Sequence, residues 1–345
     1  MIFEEYLKKH HNDLVSFWLE AEPIPTRPVQ DFCDMIYSLH LLGLLNEIKV
    51  ESCQAFIKRL KQYDLPGWKS LGIIEKKSKL SVHNFAYLLG TLNIIKKYNI
   101  DLYPKLFVNR KLAIEELIDE KTFSPRYPAW LSHHNWRVSH WIGGVPSILF
   151  SLGDSSIDNA KYFKQTAQAV LHVTNTKLLS QSTGLIRLYK IELFQFLFKK
   201  FYQLRHDPEL GNLGGVAHIL WVNHFTGQKY IGNDWLLNES VRLFNKHTPF
   251  MEKVPYCLDF DIVQIARTSL TANSKIDLKD LKARAAQMMR DIESFNKDAN
   301  LDNYTLHKVP GALATYHECA FILGKERLEN LDVKTIDIIK DAYWL

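Results

Sequence analysis

Cysteine is scarce and unpaired in this chain: Cys33, Cys53, Cys257 and Cys319 lie far apart, and no CxxC occurs. A disulfide framework marks small secreted domains, whereas 345 residues are enough to build a hydrophobic core without one. Long apolar runs are missing too; none approaches the roughly 18 residues that span a bilayer. Glu4, Glu5, Lys8 and Lys9 interrupt the stretch where the apolar core of a signal peptide would lie, so the first segment reads as an amphipathic helix. Neither sign of charge dominates: 43 Lys and Arg against 38 Asp and Glu leave +5. The basic residues are dispersed, and no nucleic-acid footprint is visible. These absences predict a cytoplasmic protein with reduced thiols, no membrane partner and no nucleic-acid partner.

Familiar catalytic signatures are missing as well. There is no GxSxG elbow and no phosphate-binding P-loop, and HECAF at 317–321 lacks the second histidine of HExxH. Gly211-Asn212-Leu213-Gly214-Gly215 precedes a helix but follows no strand, which removes the context of a dinucleotide fingerprint. No Cys–His spacing matches a structural zinc site; a scattered one would draw on Cys257, Asp259 or Asp261, and His317. No metal and no cofactor are expected.

What is present is helical spacing. Hydrophobic residues make up 46% and charged residues 23%, the composition of a globular protein. Apolar residues recur at intervals of three and four, for example in 184–204 and 277–296, with Lys, Arg and Glu opposite them. Sustained period-two alternation is absent; short extended pieces are expected only near Gly72–Ile74 and Lys229–Ile231. The class is all-α.

Six segments are apolar nearly all round: 28–46, 80–98, 133–152, 212–226, 256–272 and 307–323. Between them lie segments with a charged face: 50–63, 109–120, 157–176, 237–248, 277–296 and 332–343. A helix apolar on all sides must be buried on all sides, while an amphipathic one keeps a face in water. Buried and amphipathic helices therefore alternate, with a period near fifty residues and one wider step that holds an extra helix over 184–204. The pattern predicts an (α/α)6 toroid, six inner helices wrapped by six outer ones, as a single domain over 1–345. An open α-solenoid is the alternative.

In a toroid the polar residues near the inner helix starts converge. Those starts offer Asp31 and Asp34; His83 and Asn84; His133, His134, Asn135, Trp136, Arg137, His140 and Trp141; Asn212 and His218; Asp259 and Asp261; and His307, Tyr316, His317 and Glu318. The third start is the densest. Arg137 shares a helical face with His140 and Trp141, and indoles beside a guanidinium and imidazoles can stack on a sugar ring or clamp an anion. Asp259 and Asp261 point about 200° apart on a helix, so Asp259 suits an N-cap. Asp261 shares a polar stripe with Gln264 and Thr268 and is the better inward carboxylate, a general acid if burial raises its pKa. Asp261, His140 and His317 are thus the expected proton-transfer groups. His83, Asn84, Trp136, Arg137, Trp141, His218 and Tyr316 are the expected binding groups.

The stretch TYHECAFILG at 315–324 resembles the Tyr-His-x-Cys helix of protein prenyltransferase β subunits, an α/α-toroid family. That resemblance covers about ten residues and implies a zinc ligand at His317. The family's Asp-x-Cys order is reversed here, with Cys257 before Asp259, and its repeated glutamine- and glycine-rich turns are absent. The helix pattern as a whole resembles the broader superfamily of toroid glycosidases, polysaccharide lyases, sugar epimerases and isoprenoid cyclases. It implies an enzyme acting on a sugar or oligosaccharide by acid/base chemistry in a central cavity. The alternatives are an isoprenoid or other apolar-substrate cyclase or transferase, and a non-catalytic helical-repeat scaffold.

Overall fold

A computed structural model describes residues 28–47, 54, 58, 81–107, 123, 125, 135–155, 157–201, 208–228, 230–246, 257–271, 274–298 and 306–345. The described chain is all-α apart from one hairpin of two-residue strands, β1 (Arg327–Leu328) and β2 (Val333–Lys334). The expected outer helices at 50–63 and 109–120 lie, but for Gln54 and Lys58, outside the described residues, as does the extended piece at 72–74. Tyr230 and Ile231 are not in a strand.

The buried helices fall where the apolar runs place them. α1 (Pro28–Leu41) opens on a proline, whose fixed φ suits the first helical position. α2 (Val82–Lys97) is capped by Ser81, whose Oγ accepts the Asn84 N–H at 3.1 Å. A short helix, α3 (Tyr103–Phe107), follows. The run 133–152 is two helices, α4 (Asn135–Ile142) and α5 (Gly144–Gly153). Pro146 explains the break: it has no N–H for the Ile142 carbonyl, and its ring would strike that carbonyl in a continuous helix. Gly144 fits the break because a Cβ there would sit 2.8 Å from Val82 Cγ1. α6 (Ala160–Val173) is amphipathic and runs into a π-turn over Thr174–Leu178.

The extra helix is shorter than its apolar pattern. α7 spans Glu192–Phe201, while Leu179 and Ile186 form a bridge and Gly184 sits at φ +74°. Ser180 and Thr183 hydrogen-bond the backbone of that turn, which competes with helix over 180–185. Then follow α8 (Pro208–Thr226), α9 (Asn233–Lys246), α10 (Cys257–Thr268), α11 (Leu278–Asp298) and α12 (Lys308–Leu323). α12 stops at Gly324, whose φ of +71° is left-handed.

The apolar helices pack in sequence: α1 on α2, α2 on α4 and α5, α4 on α8, α8 on α10, α10 on α12, and α12 back on α1. The amphipathic helices cover them, α6 on α5, α9 on α10 and α11 on α12. Half-buried Arg267 ties three elements together, gripping Glu318 on α12 and Asp337 beyond the hairpin, its guanidinium stacked over Phe321 at 4.8 Å. Glu318 is fully buried and carries two guanidinium bonds, so its charge is matched in place.

The expectation of an outer amphipathic helix over 332–343 is corrected. Only α13 (Ile338–Asp341) is helical there, and Ala342, Tyr343 and Trp344 are buried. The Ala342 carbonyl accepts Trp221 Nε1–H at 2.6 Å, the Tyr343 carbonyl accepts Ser147 Oγ–H at 3.0 Å, and the Trp344 carbonyl accepts the Tyr37 hydroxyl. Apolar Ile338, Ile339, Tyr343 and Trp344 face the helices rather than a stripe of their own, so helical spacing misreads an extended segment anchored by its carbonyls.

Candidate functional site

Residues from five helices and the final segment enclose a cavity of ≈ 280 Å³. Its wall is His83 and Tyr87 from α2, Trp136 and His140 from α4, His218 and Trp221 from α8, and Cys257, Phe260 and Asp261 from α10. His307, just before α12, joins Pro310 and Gly311 of that helix and Leu345. The wall brings together His83, Trp136, His140, His218 and Asp261, which come from four different parts of the sequence.

The imidazoles form a stack. His83 and His140 lie ring on ring at 4.4 Å between centroids, His218 meets His140 edge-on at 5.5 Å, and Trp136 meets His140 at 5.3 Å. Trp344 covers the group from outside, parallel to His218 at 4.2 Å. Its Nε1–H donates to His83 Nδ1 at 2.9 Å. An indole N–H can only donate, so the His83 proton sits on Nε2. The Ser139 hydroxyl donates to the Trp136 carbonyl at 2.6 Å, which leaves its oxygen to accept from His218 Nδ1 at 3.2 Å. Burial pushes both imidazoles down to about 3, His83 with help from the neighbouring His218 and His307. Both are neutral at pH 7.

Asp261 is the acid of the cavity. It is 4% exposed, and its Oδ2 has no hydrogen-bond partner. Burial, then the charge of Asp259, raises its carboxyl well above the usual range, which favours the protonated form. Gly214 makes room for it: a Cβ there would lie 2.3 Å from Leu258 Cδ2 and 2.9 Å from Asp261 Oδ2. The same causes, burial first, raise the Cys257 thiol, which argues against a thiolate nucleophile. Asp259 is buried inside the first turn of α10 rather than ahead of it.

His307 brings a second kind of group. Its Nδ1 lies 2.9 Å from the carboxylate of Asp34, a fully buried residue that also accepts the Tyr87 hydroxyl at 2.8 Å. Gln30 Nε2 stands 2.7 Å from His307 Nε2, a donor that fits the lone pair left on that nitrogen. A buried carboxylate that fixes an imidazole tautomer is the orienting half of an acid/base pair. His307 and Asp34 were visible at two helix starts, but 273 residues separate them, and no local spacing marks them as a pair. Tyr87, Trp221 and Phe260 read from sequence as ordinary core.

Several expected site residues lie elsewhere. His317 is not in the cavity wall: its Nε2–H donates to the Leu41 carbonyl at 2.8 Å and its Nδ1 accepts the Ile336 N–H at 3.0 Å. Both nitrogens are spent on backbone, and burial lowers its pKa to about 4. The zinc ligand implied by the prenyltransferase resemblance therefore does not fit, and no group of three potential metal ligands occurs among the described residues. Tyr316 points outward to Glu293 and Asn330. Arg137 is exposed, and Asn84 and Trp141 are not in the cavity wall. His133 and His134 lie outside the described residues.

Comparison of the chain with protein-family models, curated proteins and solved structures gives no match. No described helix is long and apolar enough to cross a membrane.

Proposed function

We propose that the chain is an (α/α)6-toroid domain and an enzyme that acts by acid/base chemistry on a single uncharged sugar unit held in the central cavity. The toroid reading rests on α12 packing back onto α1, which an open solenoid would not do. A closed toroid of this length has a radius of gyration of about 20 Å; solution scattering well above that value returns the chain to the solenoid scaffold.

The observation that carries the function is the buried Asp261 carboxyl, its Oδ2 without a hydrogen-bond partner, on the same cavity wall as the Asp34-oriented His307. Asp261 supplies a proton to an oxygen of the substrate, and His307 takes one at Nε2 once the substrate displaces the Gln30 amide from that nitrogen, while Asp34 stabilises the resulting imidazolium. Trp136 offers an indole to a sugar ring. The cavity lies near the lower end of the usual range for ligand pockets, about 300–1,000 Å³, which favours one ring over a polymer. Arg137 is outside the wall, and no lysine or arginine lines it among the described residues. The anionic substrate that the sequence allowed has lost its counter-ion.

The apolar members of the wall, Trp221, Phe260, Pro310 and Leu345, favour a second reading, in which Asp261 protonates an uncharged isoprenoid. Calorimetric titration with neutral monosaccharides and their glycosides, uronic acids and a linear isoprenoid alcohol separates the two. Neutral sugars should bind, and Asp261→Asn should keep binding while losing turnover. Binding of the isoprenoid alone transfers the assignment to the second reading. Silence from every neutral ligand removes both.

A further inference from the structure

The outward face of α7 is the most apolar surface on the described molecule. Leu193 is 61% exposed, Phe196 54%, Leu197 42% and Phe201 85%. At 100° per residue these four occupy one arc of about 140°. The helix is not free to turn that arc inward. Phe194 and Phe198, on the flank of that arc, already pack on the core, and Phe198 stacks on Tyr189 at 5.5 Å. Gln195 locks the rotation, donating from Nε2 to the Ile186 carbonyl at 2.8 Å and accepting the Leu188 N–H at 3.1 Å.

We infer that α7 lays this face into the interface of an anionic lipid surface. The deciding residue is Lys200, which sits within the apolar arc with its ammonium 4.6 Å over the Phe196 ring. In a dry protein groove that charge would be stranded among apolar neighbours. At a bilayer the same side chain runs its stem along the phenylalanines and lifts its ammonium to the phosphates. Charge agrees: residues 190–201 hold three lysines and one glutamate. Large apolar residues on one face with lysines beside them are the pattern of a helix lying in the interface plane. The expectation of no membrane partner was founded on the absence of a spanning run, which such a helix does not need. The inference is independent of the reaction assigned to the cavity.

Vesicle flotation tests it, with phosphatidylcholine alone and with phosphatidylcholine containing phosphatidylserine. The full chain should float with the anionic vesicles, float less with neutral ones, and be released by salt. Phe196→Ser with Phe201→Ser should lower partitioning by on the order of tenfold or more, and Lys200→Glu should lower it on anionic vesicles only. Both residues are exposed, and circular dichroism should show an unchanged fold. Failure of the unaltered chain to float, or equal flotation of the double variant, overturns the inference. So does a dimer in light scattering that the double variant dissolves while vesicles remain unbound, because the face then belongs to a protein contact.

Discussion

Replacing Trp344 should distinguish a segment embedded among the helices from one lying on them. Its side chain is fully buried, parallel to His218 and bonded to His83. Removing a buried tryptophan side chain costs about 3–5 kcal/mol through lost transfer energy and the cavity left behind. Leaving His83 Nδ1 without its donor adds about 1–3 kcal/mol. Trp344→Ala should therefore lose about 4–8 kcal/mol, against about 5–15 kcal/mol for the stability of a typical domain. Trp344→Phe keeps a ring on His218 and loses chiefly the N–H, so about 1–3 kcal/mol is expected. Urea denaturation followed by far-ultraviolet circular dichroism gives both values from the shift in midpoint. A loss under about 1 kcal/mol for Trp344→Ala would refute the argument. Equal losses for the two variants would show that the ring's packing contributes nothing beyond the hydrogen bond.

Acid should destabilise the protein. His83 and His218 at about 3 and His317 at about 4 titrate below an unfolded histidine. Each contributes stability that is present above about pH 6.5 and lost as pH falls towards its folded value, at about 1.4 kcal/mol per pH unit in that window. Thermal melts from pH 7 to 5 should show the fall. Asp261 acts with the opposite sign: its raised pKa favours folding below the unfolded carboxylate value, and that contribution is lost as pH rises. Asp261→Asn should therefore gain stability relative to the unaltered chain between pH 4 and pH 7, readable in the same melts. His317→Ala should cost about 2–4 kcal/mol by leaving the Leu41 carbonyl and Ile336 N–H unpaired, yet leave the affinity of any cavity ligand unchanged in a titration. Arg137→Ala, at an exposed position, should stay within about 0.5 kcal/mol and also spare binding.

The apolar helices were legible because a helix buried on every side has few substitutes for Leu, Ile, Val and Ala. α2 and α12 fall within two residues of the apolar runs that announce them, and α8 extends four residues ahead of its run. Buried and amphipathic segments alternate in the structure as in the sequence, with α6 on α5 and α11 on α12. Legibility failed where backbone chemistry outweighed periodicity. Pro146 split one run, the Ser180–Gly184 turn shortened another, and carbonyl anchoring drew residues 342–344 inward. In the site, residues within about three turns of a helix start, such as His83, His140, His218 and Asp261, were found by counting. His317 and Tyr316 were not separable from them by position, since both lie a full turn or more beyond the start of α12. Their partners, Leu41 and Ile336 for one and Glu293 for the other, are long-range and leave no local trace.

The closing contact also sets an order of events at the ribosome. α1 carries Asp34 and Tyr37, whose partners His307, Tyr87 and Trp344 are nearly all far downstream. Synthesis must add the 277 residues that separate Gln30 from His307, which at roughly 5–20 residues per second takes roughly 15–55 s. Through that interval the face of α1 that will meet α12 has no native neighbour, and a holding chaperone is the natural company for it. Translation rate, rather than intrinsic helix formation on the sub-microsecond scale, then governs when this protein first acquires a cavity at all.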